Sequence, residues 1–377
     1  MSTRSQDSFP LHGGQLRQIA ARFGIAKERL VDFSANINPA GPPQSVHSAI
    51  VRALEVPSTL ATYPDLESAE LKEAIAKYTN TRPENVAVAN GFVSLLEAAL
   101  RSLSIQKCLL PVPCFGEYRR TLEDVGVDVV PYRLSQDGGF SYQANTIRQM
   151  LLDCSCDAIL LANPQNPSGA LCTAEEMLRL IQIVAQHNVA VLIDEAFIDY
   201  CPLDSLTKHL AEQSRVIIFR SVTKFFAIPG LRVAYAVSNP LFVEKMNRFI
   251  APWPITSLAS HAVCAALQEE IYAVRSRTAN EQQRLWLERE LLRLGIVTYP
   301  SRVNFLLLRF PDAVDVDRLW ERMIVEEQIV LRSCRNFEGI APGHLRIAVR
   351  AESENERLIS GLERVLSSQD SSTAAEV

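Results

Sequence analysis

No run of about 18 consecutive apolar residues occurs in this chain of 377 residues, so no membrane-spanning helix is expected. The opening stretch, Met1 to Ser8, is polar and lacks the apolar core of a secretory signal. Metal-ligand spacing is absent as well. Cys154 and Cys156 flank a single residue, but no second pair or histidine cluster accompanies them, and the six histidines are scattered. No metal site is expected. The eight cysteines read instead as reduced thiols, which fits a cytoplasmic protein. The formal net charge is −5, with no basic stripe interleaved with aromatics, so nucleic acid is not an expected partner. There is no internal repeat, and the only biased segment is the small, polar stretch 367–377, expected to be a disordered tail.

What is present is the composition of an ordinary enzyme, 47% apolar and 21% charged, long enough for one large and one small domain. Between Val86 and Ala236, strand patterns alternate with helix patterns: strand Val86–Ala89 with helix Phe92–Leu103, then strand Lys107–Pro111 with helix Glu117–Val125. That alternation predicts an α/β domain with a mostly parallel, helix-covered sheet. A long amphipathic region from Pro240 to Leu294 is broken at Pro252-Trp253-Pro254, where two prolines remove donors and crowd the preceding turn. From about Ile296 the pattern becomes a smaller α+β unit ending in a helix over Glu352–Leu366.

Three segments carry chemistry. Val216-Ile217-Ile218-Phe219 is a buried-strand run, and Ser221-Val222-Thr223-Lys224 follows it, with Arg232 eight residues beyond the lysine. An amine at the exit of a strand can bond covalently to the aldehyde of pyridoxal 5′-phosphate (PLP). Ser221 and Arg232 would then hold the cofactor's phosphate, the arginine through paired donors. In isolation this segment would also read as a basic surface loop. A second strand pattern, Val189 to Ile193, ends on Asp194, which can pair with a protonated pyridine nitrogen or simply cap a helix. A third, Ile159 to Ala162, runs into Asn163-Pro164-Gln165-Asn166-Pro167, where two Asn-Pro steps force an irregular loop and Asn166 could donate to the pyridoxal phenolic oxygen. All three lie at C-terminal strand ends, the edge where open α/β sheets bind ligands.

Together these residues resemble the fold-type I PLP enzymes of the aminotransferase superfamily, over about Leu11 to Leu366. Within it the chain resembles most the threonine-phosphate decarboxylases of cobalamin biosynthesis, relatives of the histidinol-phosphate aminotransferases. The motifs are Leu11-His12-Gly13-Gly14, Asp32-Phe33-Ser34-Ala35-Asn36-Ile37-Asn38-Pro39, Asp194 to Tyr200 and Arg332-Ser333-Cys334. The resemblance implies a large PLP-binding domain over residues 40–290 and a small domain built from 1–39 and 291–366. It implies PLP as cofactor, Lys224 and Asp194 as catalytic residues, and a homodimer in which Tyr63 reaches the partner's PLP phosphate. Phe115 matches the ring-stacking position, and Phe197 stands where aminotransferases commonly have tyrosine. His12, Gly13, Asn36, Arg332 and Arg346 match positions that grip the anionic groups of a phosphorylated amino acid. Which arginine takes the carboxylate and which the phosphate stays open at this point. The implied reaction is decarboxylation of L-threonine O-3-phosphate. L-serine phosphate, another phosphorylated or phosphonate amino acid, and a histidinol-phosphate-type transamination are the alternatives. One departure stands out. Relatives follow Asn-Gly with a variable residue, threonine and glutamate, whereas Asn90-Gly91 is followed by Phe92-Val93-Ser94. A hydroxyl is therefore lost at 93, although the Gly91, Phe92 and Val93 amides at the helix start can still hold a phosphate.

Overall fold

The computed structural model describes residues 9–210, 213 and 215–373. Its centre is a seven-stranded sheet. In spatial order the strands are Val86–Asn90, Val233–Ser238, Val216–Ser221, Ala190–Asp194, Ala158–Ala162, Lys107–Val112 and Asp128–Arg133. Val233–Ser238 runs antiparallel to both of its neighbours, and the remaining pairs are parallel. The central strands are buried on both faces, which is why Ala190–Asp194 and Val216–Ser221 read as continuous apolar runs rather than alternating ones. Helices cover both sides. Leu95, Leu96, Ala99 and Leu100 of helix Phe92–Leu103 pack on one face. Met177, Leu180, Ile181 and Val184 of helix Ala174–Ala185 pack on the other.

A second, four-stranded antiparallel sheet is built from Arg332–Ser333, His344–Ala348, Phe305–Arg309 and Val297–Thr298. Its core brings the two chain ends together. Ile19, Leu30 and Phe33 pack with Leu306, Trp320, Ile347, Leu358 and Leu362, and Val31–Asp32 pairs in parallel with Ile329–Val330. The long amphipathic region resolves into helices Pro240–Asn247, Ser257–Ala266 and Glu270–Arg293, with the Pro-Trp-Pro break between the first two. The final helix differs from the sequence expectation. It runs from Glu352 to Thr373, past Leu366, because no glycine or proline follows Gly361 to stop it. Residues 374–377 of the predicted tail lie outside the described residues.

Candidate active site

The C-terminal ends of the large sheet's strands open into a cavity of about 500 Å³, closed on its other side by the small sheet and the segment before helix Leu16–Phe23. Lys224, Asp194, Asn166, Ser221, Arg232 and Phe115 all line it, as do Gly91, Phe92, Val93 and Phe197. From the smaller unit come His12, Gly13, Asn36, Arg332 and Arg346. Every residue singled out in the sequence reaches this one space except Tyr63, which is 78% exposed and stacks on Trp253 at a centroid distance of 4.6 Å.

Lys224 follows the strand Val216–Ser221, and the cavity around its amine is lined by basic groups. Burial, then Arg232 and Arg346, push its pKa down to about 8, against a smaller upward pull from Asp194. Asp194 is buried at the end of its strand. Burial pushes its carboxyl up to about 6, although a hydrogen bond from Tyr118 Oη at 2.5 Å and one from the Ala196 amide at 2.8 Å hold the ionised form. Glu195 faces the other way, as strand alternation requires, and accepts from Ser205 Oγ and the Leu206 amide beside Arg220.

Asn166 is oriented by Arg346, whose Nη1 donates to its Oδ1 at 2.6 Å. A guanidinium can only donate, so the Asn166 amide nitrogen is left for an acceptor. Gly91 has φ +85°, and a Cβ there would lie 3.0 Å from Arg232 Nη2, so only glycine lets the helix start approach that guanidinium. Ser221 and Thr223 hydroxyls sit 2.8 Å apart beside it. Phe92 turns its ring against Phe219 and Tyr118.

Arg332 and Arg346 are directly opposite each other on adjacent antiparallel strands. Residues so paired share a face of the sheet. They are 5% and 6% exposed and both lie over the Phe337 ring. Burial, then Arg332, push Arg346 down to about 9. Arg332 Nη1 donates to Pro10 O and Ser333 O, and Nη2 to Leu11 O and Asn336 Oδ1. Asn36 Oδ1 and Arg346 Nε are buried without a hydrogen-bond partner.

Sequence reasoning missed Tyr118, Thr223, Glu117 and Phe337. Tyr118 had a legible signal: it lies in the first turn after Phe115, on the buried face of helix Gly116–Val125 with Thr121 and Leu122. Phe337 had none, because it enters the site from a loop after Arg332–Ser333.

The donor set fits PLP. Asp194, costly to ionise alone, suits a cationic pyridine nitrogen. The Asn166 amide suits a phenolate, and Gly91, Ser221 and Arg232 suit a phosphate. Among the described residues no group of three or more His, Cys, Asp or Glu could hold a metal ion. No described helix is long and apolar enough to cross a membrane.

The family model for aminotransferase class I and II matches residues 28–365. A threonine-phosphate decarboxylase from Salmonella typhimurium is 31% identical over 94% of this chain and 96% of its own length. A histidinol-phosphate aminotransferase from Pseudomonas fluorescens is 29% identical over 94% of each chain. The crystal structure of the histidinol-phosphate aminotransferase from Clostridium acetobutylicum superposes with a TM-score of 0.82 at 28% identity, covering 89% of this chain and 99% of that one. The chain is a PLP enzyme with the fold-type I architecture and belongs to the aminotransferase class I and II family.

Proposed function

We propose that the protein decarboxylates an O-phosphorylated amino acid, L-threonine O-3-phosphate first among them, giving (R)-1-amino-2-propanol phosphate for cobalamin biosynthesis. The observation that carries this reading is the buried cross-strand pair Arg332 and Arg346. Two like charges facing each other out of water are destabilising unless anions lie against them. An amino acid bearing both a carboxylate and a phosphate supplies two. The 31% identity to a threonine-phosphate decarboxylase points the same way.

Bound PLP supplies an electron sink for the pair of electrons left when a bond to the substrate's α-carbon breaks. Asp194 keeps the pyridine nitrogen protonated. Arg346, bonded to Asn166 in the cavity that holds Lys224, takes the α-carboxylate, because that group sits on the carbon that bears the reacting amine. Arg332, paired with it on the adjacent strand, takes the phosphate. After carbon dioxide leaves, Lys224 Nζ delivers a proton to the α-carbon.

The second reading is a transaminase acting on histidinol phosphate, favoured by the 29% identity to such an enzyme along nearly the whole chain. Carbon dioxide and keto product measured separately, from L-threonine phosphate, L-serine phosphate, and histidinol phosphate with 2-oxoglutarate, decide between them. Carbon dioxide from a phospho-amino acid supports the lyase; keto product from histidinol phosphate with no carbon dioxide from either ester overturns it. The methyl that separates the two esters is worth only about 1–3 kcal/mol, so both are expected to react to some degree.

A two-fold dimer with shared sites belongs to this reading. Tyr63 does not line its own cavity but stacks on Trp253, and Leu54, Val56, Leu60 and Leu66, near it in sequence, are likewise exposed. Mixing inactive Tyr63→Ala and Lys224→Ala chains is expected to restore activity, because one site per mixed dimer receives both intact groups. A fully active monomer in sedimentation refutes the shared site. A cytoplasmic setting is part of the same proposal, in keeping with eight free cysteines.

A further inference from the structure

We propose that Glu117 is a positioning residue that makes His12 a recognition group for the substrate's phosphate; the assignment rests on the phosphorylated-substrate reading above and deepens it.

The backbone on either side of His12 is fixed, but its ring is not. Arg332 holds the Pro10 and Leu11 carbonyls, and Asn336 Nδ2 donates to Leu11 O at 2.8 Å. On the other side, the Gly14 amide donates to Ser34 Oγ at 2.9 Å. A Cβ at Gly13 would fall 2.1 Å from Ser34 O, so the strand of chain lies flat against residue 34. The imidazole, 45% exposed, has its Nε2 3.1 Å from Glu117 Oε1. Its only described ring neighbour is Phe115, at 6.3 Å.

Glu117 itself needs an explanation. Its side chain is 17% exposed, and it lines a cavity that presents one other carboxylate, Asp194, and the cations Arg120, Lys224, Arg232, Arg332 and Arg346. A carboxylate there repels an anionic substrate unless a cation stands between the two. His12 stands there. Arg120, the other cation on Glu117, is 3.5 Å away and points from the rim with 69% of its side chain exposed.

Nε2 lies 3.1 Å from Glu117 Oε1, so Nδ1 is the ring nitrogen left for a ligand. A ring that donates Nε2–H to a carboxylate and Nδ1–H to a phosphate oxygen is an imidazolium bridging two anions, with charge-assisted bonds on both sides. A free hydroxyl offers no second anion, so the bridge favours the phosphate ester over the alcohol. The need for such a group follows from Arg332, whose four terminal N–H groups are already engaged by Pro10, Ser333, Leu11 and Asn336. Only its Nε remains for the phosphate, so His12 supplies the further donor.

The test uses holoenzyme and four variants: Glu117→Ala, Glu117→Gln, His12→Ala and the double His12→Ala/Glu117→Ala. Glu117→Ala is expected to raise KM for L-threonine phosphate, and the inhibition constant of inorganic phosphate, by about tenfold or more, the size of a lost charge-assisted bond, with kcat changed far less. Glu117→Gln, whose amide oxygen can still accept from Nε2, should recover part of that loss. In the double variant the Glu117 substitution should add little to His12→Ala, since a residue that acts through another has no effect once the other is gone. Full additivity, or equal phosphate affinity in wild type and Glu117→Ala, overturns the assignment alone. Wild-type holoenzyme that binds neither L-threonine phosphate nor inorganic phosphate overturns the phosphorylated-substrate reading, and this assignment with it.

Discussion

Lys224→Ala protein is expected to hold no PLP that borohydride can fix to the chain, and to turn over about 10²–10⁴-fold more slowly or worse, the range a positioned proton-transfer group contributes. In the proposed reaction the same amine has two tasks, the covalent hold on the cofactor and the return of a proton to the α-carbon, so no neighbour would replace it. Reduction of the wild-type holoenzyme followed by peptide mapping should label Lys224 and no other lysine; a label elsewhere removes the central assignment. The reaction of the amine with an aldehyde requires the neutral form. Lysine ordinarily titrates near 10.4, whereas burial and then the Arg232 and Arg346 charges bring Lys224 to about 8. A lowered pKa means the neutral amine already dominates above about 8 and falls tenfold per pH unit below it. Uptake of PLP by apoprotein should therefore accelerate up to about pH 8 and then level off. A rate that keeps climbing past pH 10 would show an amine unaffected by its surroundings.

Much of this site was legible because it is built from strand exits. Ser221 and Lys224, Asp194, Asn166 and Gly91 each follow a run of buried apolar residues, and in a parallel sheet such exits gather at one edge whatever the details of packing. The roles of the arginines were less legible. Arg332 hydrogen-bonds to Pro10 and Leu11 across more than 300 residues of sequence, and Glu117 reaches His12 through another non-local contact, so no local pattern announces either. Both depend on how the chain ends fold back over the large sheet. Periodicity alone does not encode that; the motif around His12 entered through resemblance. Tyr63 illustrates the reverse case. Its motif was recognised, yet its ring stands outside the cavity of its own chain, where only a second chain can give it the expected task. The long final helix was missed because polar composition was read as disorder, where the absence of a breaker after Gly361 was the better guide.

The two arginines are expected to separate in mutation, and that separation would show which anion each one holds. Arg346 donates to Asn166 in the cavity that holds Lys224, which on the proposed reading puts it beside the reacting carbon. Every amino-acid substrate places its α-carboxylate there, phosphorylated or not. Arg346→Ala is therefore expected to lower kcat/KM for L-threonine phosphate and for L-threonine alike. Truncating one partner of a buried charge pair costs about 2–5 kcal/mol, which is tens to thousands of fold. Arg332 lies one strand further out, over Phe337, and anchors the segment that carries His12. On the proposed reading its loss would remove a cation from the phosphate's side and loosen the histidine proposed to share the task. Both consequences act on the ester and spare the alcohol. Arg332→Ala should thus collapse the preference for L-threonine phosphate over L-threonine while changing the rate on L-threonine much less. Measuring kcat/KM for both substrates in both variants gives a two-by-two comparison. If Arg346→Ala erases the preference and Arg332→Ala leaves it intact, the two assignments are exchanged. If both variants depress both substrates equally, the pair acts as one undivided anion site, and the separation of carboxylate from phosphate is wrong.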